Sequence, residues 1–576
     1  MALKAPVRPK ERLPVVYTSK AKCRDCYRCV RVCPVNAIKM HDGQAQVIAD
    51  RCIACGTCIL ACPQHAKEYR TDYGKVLQMI EDGEQLALSL APSFVAYYSE
   101  SEQKRLPSAI RMLGFSYVAE TAIGAWHSAL ATEKHIRENP GKHHICTACP
   151  AVVSYVMHEV PAMATYLVPV ASPMLAHARM LKSKIPSRKV VFAGPCVAKK
   201  DEAQWNKNDI FIDAVITFEE LEELFRLKNI NFDNCEESSF NEQVPGDARL
   251  FPLEGGLLRT AGMTTDMLDA QVIAVSGYRE VKDAIETLSD SKTTTTIIEP
   301  LFCKNGCING PYANKHNNSF VSRSQLLNYS KTHPGLTKDT EEVYDTLDAG
   351  FPNVKSSQKK NWTEEQIREV LRMTGKHQLS DELNCTACGY PSCRAKAIAV
   401  LEGLAEPEMC MPYMRRFAEQ KFDTMISRDP NGIILLSKDL SILHMNPAFK
   451  KMFSCSDALI GKKVSYLLDP DVFEKLATGK EEVLRKVVHY SSYNLICHLV
   501  AYTMPEEQNY VGVFVDITDS QSSKDKLTEV KSETVIKAQE LIEHQISMAQ
   551  ELARFLGENT ARGEILMKKL IDSIKK

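Results

Sequence analysis

The sequence has no run of about 18 apolar residues, the length that a membrane-spanning helix requires. Its first residues, Met1–Pro6, lack the apolar core of a signal peptide, so we expect a cytoplasmic protein with no membrane partner. Charge of one sign is not in excess. The formal net charge is -1, which gives no electrostatic reason to expect nucleic-acid binding. At 576 residues, the chain is too long for one core, and several domains are expected.

Cysteine is abundant: there are 20, and most fall in short C-x-x-C steps. A disulfide framework is typical of small secreted domains and does not suit a chain of this size. In a cytosolic protein such steps favour metal binding. We therefore interpret four groups of four cysteines as ligands of iron–sulfur clusters. Cys146, Cys235, Cys455 and Cys497 remain without a metal assignment.

Two cysteine runs near the N-terminus share the spacing C-x2-C-x2-C-x3-C-P, from Cys23 to Pro34 and from Cys52 to Pro63. This duplicated spacing resembles that of two-cluster bacterial ferredoxins, in which the fourth cysteine of each run ligates the other cluster. The resemblance implies two [4Fe–4S] clusters. Their expected ligands are Cys23, Cys26, Cys29 and Cys62 for one, and Cys52, Cys55, Cys58 and Cys33 for the other. Zinc, which also accepts four thiolates, is the alternative.

The middle of the chain alternates strand-like and helical segments. Apolar runs at Leu86–Leu90 and Val190–Ala193 predict buried strands, and Ser108–Leu113 and Ala176–Leu181 predict helices. This alternation is typical of an α/β architecture.

Three motifs in this middle part resemble the catalytic domain of [FeFe]-hydrogenases: Thr147–Pro150, Gly194–Glu202 and Glu299–Gly310. The resemblance implies an H-cluster whose cubane is ligated by Cys149, Cys196, Cys303 and Cys307. It also implies that Cys307 bridges to a diiron subsite carrying CO, cyanide and an azadithiolate. With the other three groups, this makes four [4Fe–4S] clusters in total.

The same resemblance implies which residues surround the diiron subsite. Lys199 would contact a cyanide, which is physically sensible because a buried anionic ligand is costly unless it is paired. Pro195, Ser172, Met174 and Gly194 are further expected cofactor-binding positions. Cys307, Lys199 and the position of Ala148 are the expected catalytic ones.

The sequence departs from the hydrogen-evolving members of that family. Ala148 replaces a proton-relaying cysteine, and the stretch Ala125–Ala131 has no carboxylate where those enzymes place an acidic pair. Gly194 and Met174 replace a methionine and a glutamine. General acid–base help is worth about 10² to 10⁴ in rate, so turnover should be slow. Cys146, Glu133 and His135 are candidate substitutes, although a structural or surface role is favoured for each. With the domains below, these changes resemble the sensory, group C hydrogenases.

A third cysteine group comprises Cys385, Cys388, Cys393 and Cys410. It resembles small [4Fe–4S] domains of corrinoid proteins and of some hydrogenases, with zinc again the alternative. Gly389 would let the loop turn tightly, and Ala395–Leu404 should form a helix. Upstream, a polar linker at 355–361 runs into a capping box, Thr363 to Gln366, that predicts a helix ending at Gly375.

The stretch after this group resembles a PAS domain. Gly432–Leu436 and Ser441–His444 predict a hairpin, Asn446–Phe449 matches a PAS element, and Tyr510–Thr518 predicts the closing strand. His444, His498 and Cys497 raise the question of haem, but packing roles are favoured for them.

Beyond residue 519, an apolar stripe predicts a coiled-coil-like helix: Val535, Ala538, Ile542, Ile546, Ala549, Leu552 and Leu556. We expect it to pair with a second copy, making a homodimer, or with a partner. Folding back on the PAS domain is the alternative. No kinase or phosphatase core is recognisable, so a separate kinase, phosphatase or regulator would act downstream.

Together these observations predict a multidomain α/β and α+β protein. It comprises a ferredoxin-like N-terminal module, an [FeFe]-hydrogenase catalytic domain, a small, mostly helical [4Fe–4S] module, a PAS domain and a C-terminal coiled-coil-like helix. The expected boundaries are 1–20 for an N-terminal arm, 21–72, 73–352, 363–415, 422–519 and 520–576.

The leading functional hypothesis is a hydrogen sensor that splits H₂ reversibly and slowly, and signals its state through the PAS domain and the helix. Two alternatives stay open. One is a metabolic, ferredoxin-linked [FeFe]-hydrogenase in which the PAS domain only dimerises the chain. The other is a redox-responsive iron–sulfur protein without H₂ chemistry. The expected partners are H₂, protons, a ferredoxin-like redox partner and the downstream protein.

Overall fold

The chain divides into two units, Met1–Met409 and Cys410–Lys576, which are described separately. A computed structural model describes residues 14–205, 211–244, 246–266, 269–288, 294, 296–313, 318–333, 347–349, 351, 361–479, 482–504, 508–518, 537, 539–545 and 548. The predicted linker at 355–361 lies outside this part except for Asn361. The predicted apolar stripe from Val535 to Leu556 lies outside it except for Ile542.

The N-terminal module has a twofold repeated layout. Each cysteine run feeds a five-residue helix whose preceding residue is left-handed: Tyr27 with φ 59° and Gly56 with φ 77°. Two antiparallel strand pairs, β1 with β4 and β2 with β3, hold the two runs together. The elements are β1 (Val16–Thr18), α1 (Arg28–Val32), β2 (Ile38–His41), β3 (Gln44–Val47), α2 (Thr57–Ala61) and β4 (Lys67–Tyr69).

The middle domain follows with strands and helices in alternation, as the sequence predicts. Its elements are α3 (Tyr73–Glu81), β5 (Leu86–Leu90), α4 (Phe94–Tyr97), α5 (Glu100–Met112), β6 (Phe115–Glu120), α6 (Ala122–Glu138), β7 (His144–Ile145), α7 (Pro150–Glu159), α8 (Pro173–Lys184), β8 (Lys189–Gly194), α9 (Ala198–Glu202), β9 (Ala214–Thr217), α10 (Phe218–Leu227), α11 (Gly256–Thr260), β10 (Val272–Ser276), α12 (Tyr278–Thr287), β11 (Ile297–Leu301) and α13 (Ser319–Thr332). Strand β5 has the predicted bounds, and all five of its residues are buried.

Two parallel sheets organise this domain. One has the strand order β6-β5-β8-β9 and the other β10-β11-β7. In the four-stranded sheet, β5 leads outward to β6 and β8 leads outward to β9, so the connections diverge between β5 and β8. In open parallel sheets, such a switch point opens a crevice at the carboxyl ends of the strands. The candidate site is built there.

Helices α6 and α8 cross closely beside that crevice. A Cβ on Gly124 would lie 2.3 Å from the Pro173 carbonyl oxygen and 2.6 Å from the His177 backbone nitrogen. The crossing is therefore possible only with glycine at this position. Pro173 follows Ser172 directly, so the crossing also fixes the first turn of α8 at the site.

The last part of the first unit contains α14 (Glu364–Met373) and α15 (Cys393–Leu401). The predicted capping box is present, with both the Thr363 and the Gln366 bonds formed. Helix α15 differs from the predicted span of 395–404. It begins at Cys393 because the Ser392 hydroxyl caps the Ala395 nitrogen at 3.0 Å, and it ends before Gly403, whose φ of 74° is left-handed.

The second unit begins with α16 (Met411–Arg428), which runs through the gap between the predicted domains 363–415 and 422–519. The predicted hairpin and closing strand are present in a five-stranded antiparallel sheet of order β13-β12-β16-β15-β14. Phe449, Phe453 and Phe514 pack together in its core. The remaining elements are β12 (Gly432–Leu436), β13 (Ile442–Met445), α17 (Pro447–Met452), α18 (Asp471–Ala477), β14 (Val483–Tyr490), β15 (Leu495–Met504) and β16 (Asn509–Asp516).

Within the described residues, no helix has both the length and the apolar character needed to cross a membrane.

The α6–α8 crossing yields a first prediction. Gly124→Ala should lower the unfolding free energy by about 3 kcal/mol, the upper end for overpacking, because the new methyl group meets backbone atoms that cannot rotate away. Gly74→Ala is the matched control: it lies in helix α3 with nothing within 4 Å of the added Cβ. It should be neutral or stabilising by about 0.5–1 kcal/mol. Thermal unfolding midpoints of the two variants test this, and equal midpoints would contradict it.

Candidate functional site

Four cysteines of the middle domain lie after the carboxyl ends of parallel strands. Cys149 follows β7, Cys196 follows β8, and Cys303 and Cys307 follow β11. Burial raises the pKa of the Cys303 thiol well above its ordinary range, and the charges of Cys196, Cys307 and Cys149 raise it further. The structure therefore brings together the four thiols that the sequence groups as one ligand set.

The chemistry of these donors bears on which metal centre they suit. Four thiolates are the ligands of [4Fe–4S] clusters and of structural zinc sites alike. The donor set therefore fits an iron–sulfur cubane, in which each thiolate binds a different iron. Among the described residues, no three histidine, cysteine, aspartate or glutamate side chains are arranged to hold a single metal ion.

Lys199 places a buried cation beside these thiols. Its side chain is 10% exposed, and its ammonium donates to the Ser172 hydroxyl at 2.8 Å and the Glu202 carboxylate at 2.7 Å. It also donates to the Ala148 carbonyl oxygen at 3.4 Å. Burial raises the pKa of the Cys307 thiol, as do Cys149 and Cys196, whereas the charge of Lys199 lowers it. The predicted positions 148, 172 and 199 thus meet at one ammonium group.

Ser93, which no sequence motif singles out, lies in the loop after β5. Its side-chain oxygen is buried and has no hydrogen-bond partner in the described part of the chain. A Cβ on Gly194 would lie 3.0 Å from the Ala91 Cβ, so this loop contacts the end of β8 just before Cys196. A buried hydroxyl without a partner is costly. It indicates a place for a polar ligand at the switch point between β5 and β8.

Gly194, Pro195 and Met174 line the same region. A Cβ on Gly194 would lie 2.7 Å from two ring carbons of Phe192, so no side chain fits there in this arrangement. The Pro195 carbonyl oxygen accepts from the Tyr312 backbone nitrogen at 3.2 Å. Met174 is fully buried in the first turn of α8, two residues after Ser172. Its apolar side chain belongs to the main core of the domain.

The candidate replacements for the missing proton relay have other roles. Cys146 is buried in an apolar cluster that includes Trp126. Glu133 pairs with Arg137 at 3.4 Å on α6, and the His135 ring contacts the His144 ring with centroids 5.7 Å apart. These contacts are those of structural residues, which is the reading that the sequence favours.

The two cysteine runs of the N-terminal module are brought together in crossed fashion. One cavity is lined by Cys23, Cys26, Cys29 and Cys62, together with Tyr27 and Lys67 among others. Burial raises the pKa of the Cys52 thiol to about 12, and Cys55 and Cys33 also raise it. The fourth cysteine of each run thus lies with the first three of the other, as the ferredoxin resemblance implies.

Gly56 and Lys200 join this module to the middle domain. A Cβ on Gly56 would lie 2.3 Å from Pro311, four residues after Cys307, so the two cysteine loops are in direct contact. The Lys200 ammonium is fully buried, 2.8 Å from Glu220 and 3.4 Å from Asp72. It also lies over the Tyr69 ring, 5.5 Å from the centroid. Lys200 therefore connects the end of the N-terminal module to α10.

The third cysteine group spans the division between the two units. Cys385 is exposed, and Cys388 and Cys393 are partly buried in the first unit. The Cys393 backbone nitrogen donates to the Asn384 side-chain oxygen at 2.8 Å. Cys410 is buried and is the residue from which α16 starts.

Three segments of the chain match known protein families. Residues 84–311 match the family model described as the iron only hydrogenase large subunit, C-terminal domain. Residues 15–63 match a 4Fe-4S dicluster domain, and residues 381–412 match a family described by its Fe-S cluster. The chain thus carries a hydrogenase-like domain together with iron–sulfur domains of the ferredoxin type.

Relatives that match half of the chain or more are distant, and they include a hydrogenase subunit and iron–sulfur cluster assembly factors. The NADP-reducing hydrogenase subunit HndD of Solidesulfovibrio fructosivorans is 24% identical over 405 residues, which cover 56% of this chain and 69% of the relative. The cytosolic Fe-S cluster assembly factor NAR1 of Kluyveromyces lactis is 22% identical, covering 52% and 84%.

Solved structures give similarly remote matches. A variant of [FeFe]-hydrogenase HydA1 from Chlamydomonas reinhardtii matches 50% of this chain and 100% of its own at 15% identity, with a TM-score of 0.39. The PAS domain of an HTR-like protein from Haloarcula marismortui matches 18% of this chain and 93% of its own at 12% identity, with a TM-score of 0.16.

The Lys200 network yields a second prediction. Lys200→Met should lower the unfolding free energy by about 3–5 kcal/mol, because it leaves the buried Glu220 carboxylate without its counter-charge. Lys228→Met, which loses only a partly exposed pairing with Glu81 at 3.8 Å, should cost about 0.5 kcal/mol or less. Thermal unfolding of both variants compares them. A Lys200 variant as stable as the Lys228 variant would refute the role given to this ammonium.

Proposed function

We propose that this protein is a hydrogen-sensing [FeFe]-hydrogenase. The observation that carries the proposal is the pair of polar groups at the switch point. The buried Lys199 ammonium lies beside Cys307, and the unpartnered Ser93 hydroxyl lies in the loop that contacts the end of β8 just before Cys196. An ammonium and a hydroxyl suit anionic cyanide ligands, which need compensation when buried. These residues therefore fit a cubane with an attached diiron subsite.

In this proposal the four cysteines would hold the H-cluster and Cys307 would also be a ligand of its diiron subsite, while the other cysteine groups would hold three further [4Fe–4S] clusters. When bound, the H-cluster would supply the oxidation of H₂ to two protons and two electrons. Lys199 holds positive charge at the site, and Glu202 fixes its ammonium at 2.7 Å. Ala148 carries no proton, so transfer to solvent lacks its usual first acceptor and turnover is slow.

Two of the functional hypotheses, with and without H₂ chemistry, each have a counterpart among the relatives. A relative named as a hydrogenase subunit supports H₂ chemistry, and a relative named as an iron–sulfur assembly factor supports the reading without it. Lys199 and Ser93 favour H₂ chemistry, because iron–sulfur cubanes alone need neither a buried ammonium nor a free buried hydroxyl. Reduction of the clusters by H₂, followed by visible absorption, separates the readings. Absorption that is unchanged under H₂ would overturn the proposal.

We further propose that residues 422–519 form a PAS domain that receives the signal. Its support is the five-stranded antiparallel sheet with the Asn446 element after β13. His444 lies exposed on β13 rather than in the core, and the three packed phenylalanines occupy the interior. This arrangement favours a signal-transmitting domain over a haem domain. A second copy and a downstream regulator, acting through residues 520–576, complete the proposed pathway.

Asn446 links α16 to that domain. Its side-chain nitrogen donates to the carbonyl oxygens of Ile426, near the end of α16, and of Asn431 at 3.0 and 2.8 Å. Its side-chain oxygen accepts from the backbone nitrogens of Ile433 and Phe449, both at 2.8 Å. Because α16 starts from Cys410, a proposed ligand of the third cluster, this one side chain connects the helix leaving the cluster to strand β12.

The missing relay yields a third prediction. Ala148→Cys should raise H₂ oxidation, by up to about 10²-fold, because it restores a group that can carry a proton. Ala148→Val is the control: it adds similar volume and no acidic hydrogen. Initial rates with an artificial electron acceptor, at equal diiron loading, give the comparison. Equal rates for the two variants would count against the proposed cause of slow turnover.

The Asn446 link yields a fourth prediction. Asn446→Asp keeps both acceptor bonds but loses both donor bonds, so hydrogen exchange should rise at the C-terminal end of α16. Asn446→Ala removes all four bonds and should lower the unfolding free energy of the second unit by about 2–4 kcal/mol. Exchange measured by mass spectrometry on peptides spanning residues 420–436 distinguishes the two effects. Wild-type exchange at α16 in the aspartate variant would exclude the link.

A further inference from the structure

The third cysteine group packs directly on the N-terminal module. A Cβ on Gly389, the residue after Cys388, would lie 3.0 Å from a methyl carbon of Val30 and 3.1 Å from the Val30 carbonyl oxygen. Gly389 has a φ of 86°, a left-handed conformation that favours glycine. Its backbone therefore lies directly against Val30, with no side chain between them.

Val30 places this contact next to both ligand sets of the N-terminal module. Val30 lies in α1 between Cys29 and Cys33, which belong to the two different ligand sets of the N-terminal module. Tyr390 is buried next to Gly389. Its phenol donates to the Leu404 carbonyl oxygen at 3.3 Å, which holds the segment after Cys388 in place.

An ion pair lies at the edge of the same contact. The Lys39 ammonium of β2 lies 3.1 Å from the Glu406 carboxylate, and its distance to the Gly403 carbonyl oxygen is 3.5 Å. Both partners are about one-quarter to one-third exposed, so the pair orients the contact more than it stabilises it. The third group is thereby held on the N-terminal module by an apolar centre and a charged rim.

We infer that the third [4Fe–4S] cluster exchanges electrons with the ferredoxin-type clusters across the Gly389–Val30 contact. One electron leaves a reduced ferredoxin-type cluster, which returns from the 1+ to the 2+ state, and the third cluster passes from 2+ to 1+. The source of the electron is H₂, which releases two protons and two electrons; this part rests on the proposed function. The third cluster then receives electrons from the site by way of the N-terminal module.

In this proposal, two different contacts of the N-terminal module carry electrons. The Gly56 contact carries electrons between the hydrogenase-like domain and the N-terminal module. The Gly389 contact carries them from that module to the third cluster. An external redox partner would compete with the third cluster for the same electrons. The redox state of the third cluster therefore reports the balance between H₂ supply and the oxidised acceptor pool.

The test uses two glycines with the same backbone strain. Gly389→Leu places a side chain against Val30, whereas Gly141→Leu, between α6 and β7 of the middle domain, has a similar φ of 76° and nothing within 4 Å of its Cβ. Both are made in the full-length protein, and iron and sulfide are counted to show that every cluster is retained. Dithionite reduces all clusters, and electron paramagnetic resonance measures the magnetic coupling between neighbouring reduced clusters.

Coupling between the third and the ferredoxin-type clusters should be present in the wild type and in Gly141→Leu and lost in Gly389→Leu. Because dithionite replaces H₂ here, a failure of the proposed hydrogen chemistry leaves this test intact. Coupling that persists in Gly389→Leu, or is absent from the wild type, would overturn the inference. Under H₂, the third cluster should be reduced more slowly in Gly389→Leu than in Gly141→Leu.

A second set of variants covers the case in which Gly389→Leu loses its cluster. Lys39→Glu and Glu406→Lys should each weaken the contact, and the double exchange should restore most of it, because it re-forms the ion pair but not the contact of Lys39 with the Gly403 carbonyl oxygen. Hydrogen exchange of residues 386–390 and of α1 provides a readout independent of turnover. Exchange that rises in both single variants and returns in the double variant supports the docking. Single variants without effect on either exchange or coupling would contradict it.

Discussion

The convergence of buried thiols at the carboxyl ends of two parallel sheets is the constraint on which the first unit depends. Strands β7, β8 and β11 end at one place, and each delivers at least one cysteine there. Burial holds these thiols in the protonated form, so binding of iron must displace their protons. Folding of the loops and loading with iron are therefore coupled, and the strands serve to bring distant loops to one cluster.

A single stretch, Gly194–Glu202, combines several of the required functions. Cys196 supplies a thiol, Lys199 supplies the buried cation, and Lys200 fastens the N-terminal module to α10. Glu202 fixes Lys199 from the next turn of α9. The two adjacent lysines thus have different roles: Lys199 lies at the candidate site, and Lys200 lies at the contact with the N-terminal module. This explains why two positive charges can be buried side by side without leaving either uncompensated.

Local patterns in the sequence predicted much of this architecture. The bounds of β5, the capping box at Thr363 and the hairpin of β12 and β13 follow from periodicity and turn chemistry. Ser93 was missed because the burial of its hydroxyl next to a neighbouring strand can be recognised only once the fold is known. The contact of Gly389 with Val30 joins positions 359 residues apart, and no local pattern encodes such a meeting. Helix α15 ends at Leu401, before the predicted Leu404, because Gly403 has a positive φ.

The central claim is that this convergence holds a diiron unit bearing CO and cyanide beside Lys199. Infrared spectroscopy of the protein supplied with the diiron subsite tests it most directly, since those ligands absorb where proteins do not. The account predicts CO and cyanide bands that change under H₂, with the cyanide bands displaced in Lys199→Met. Clusters fully loaded with iron but without any such bands would contradict it.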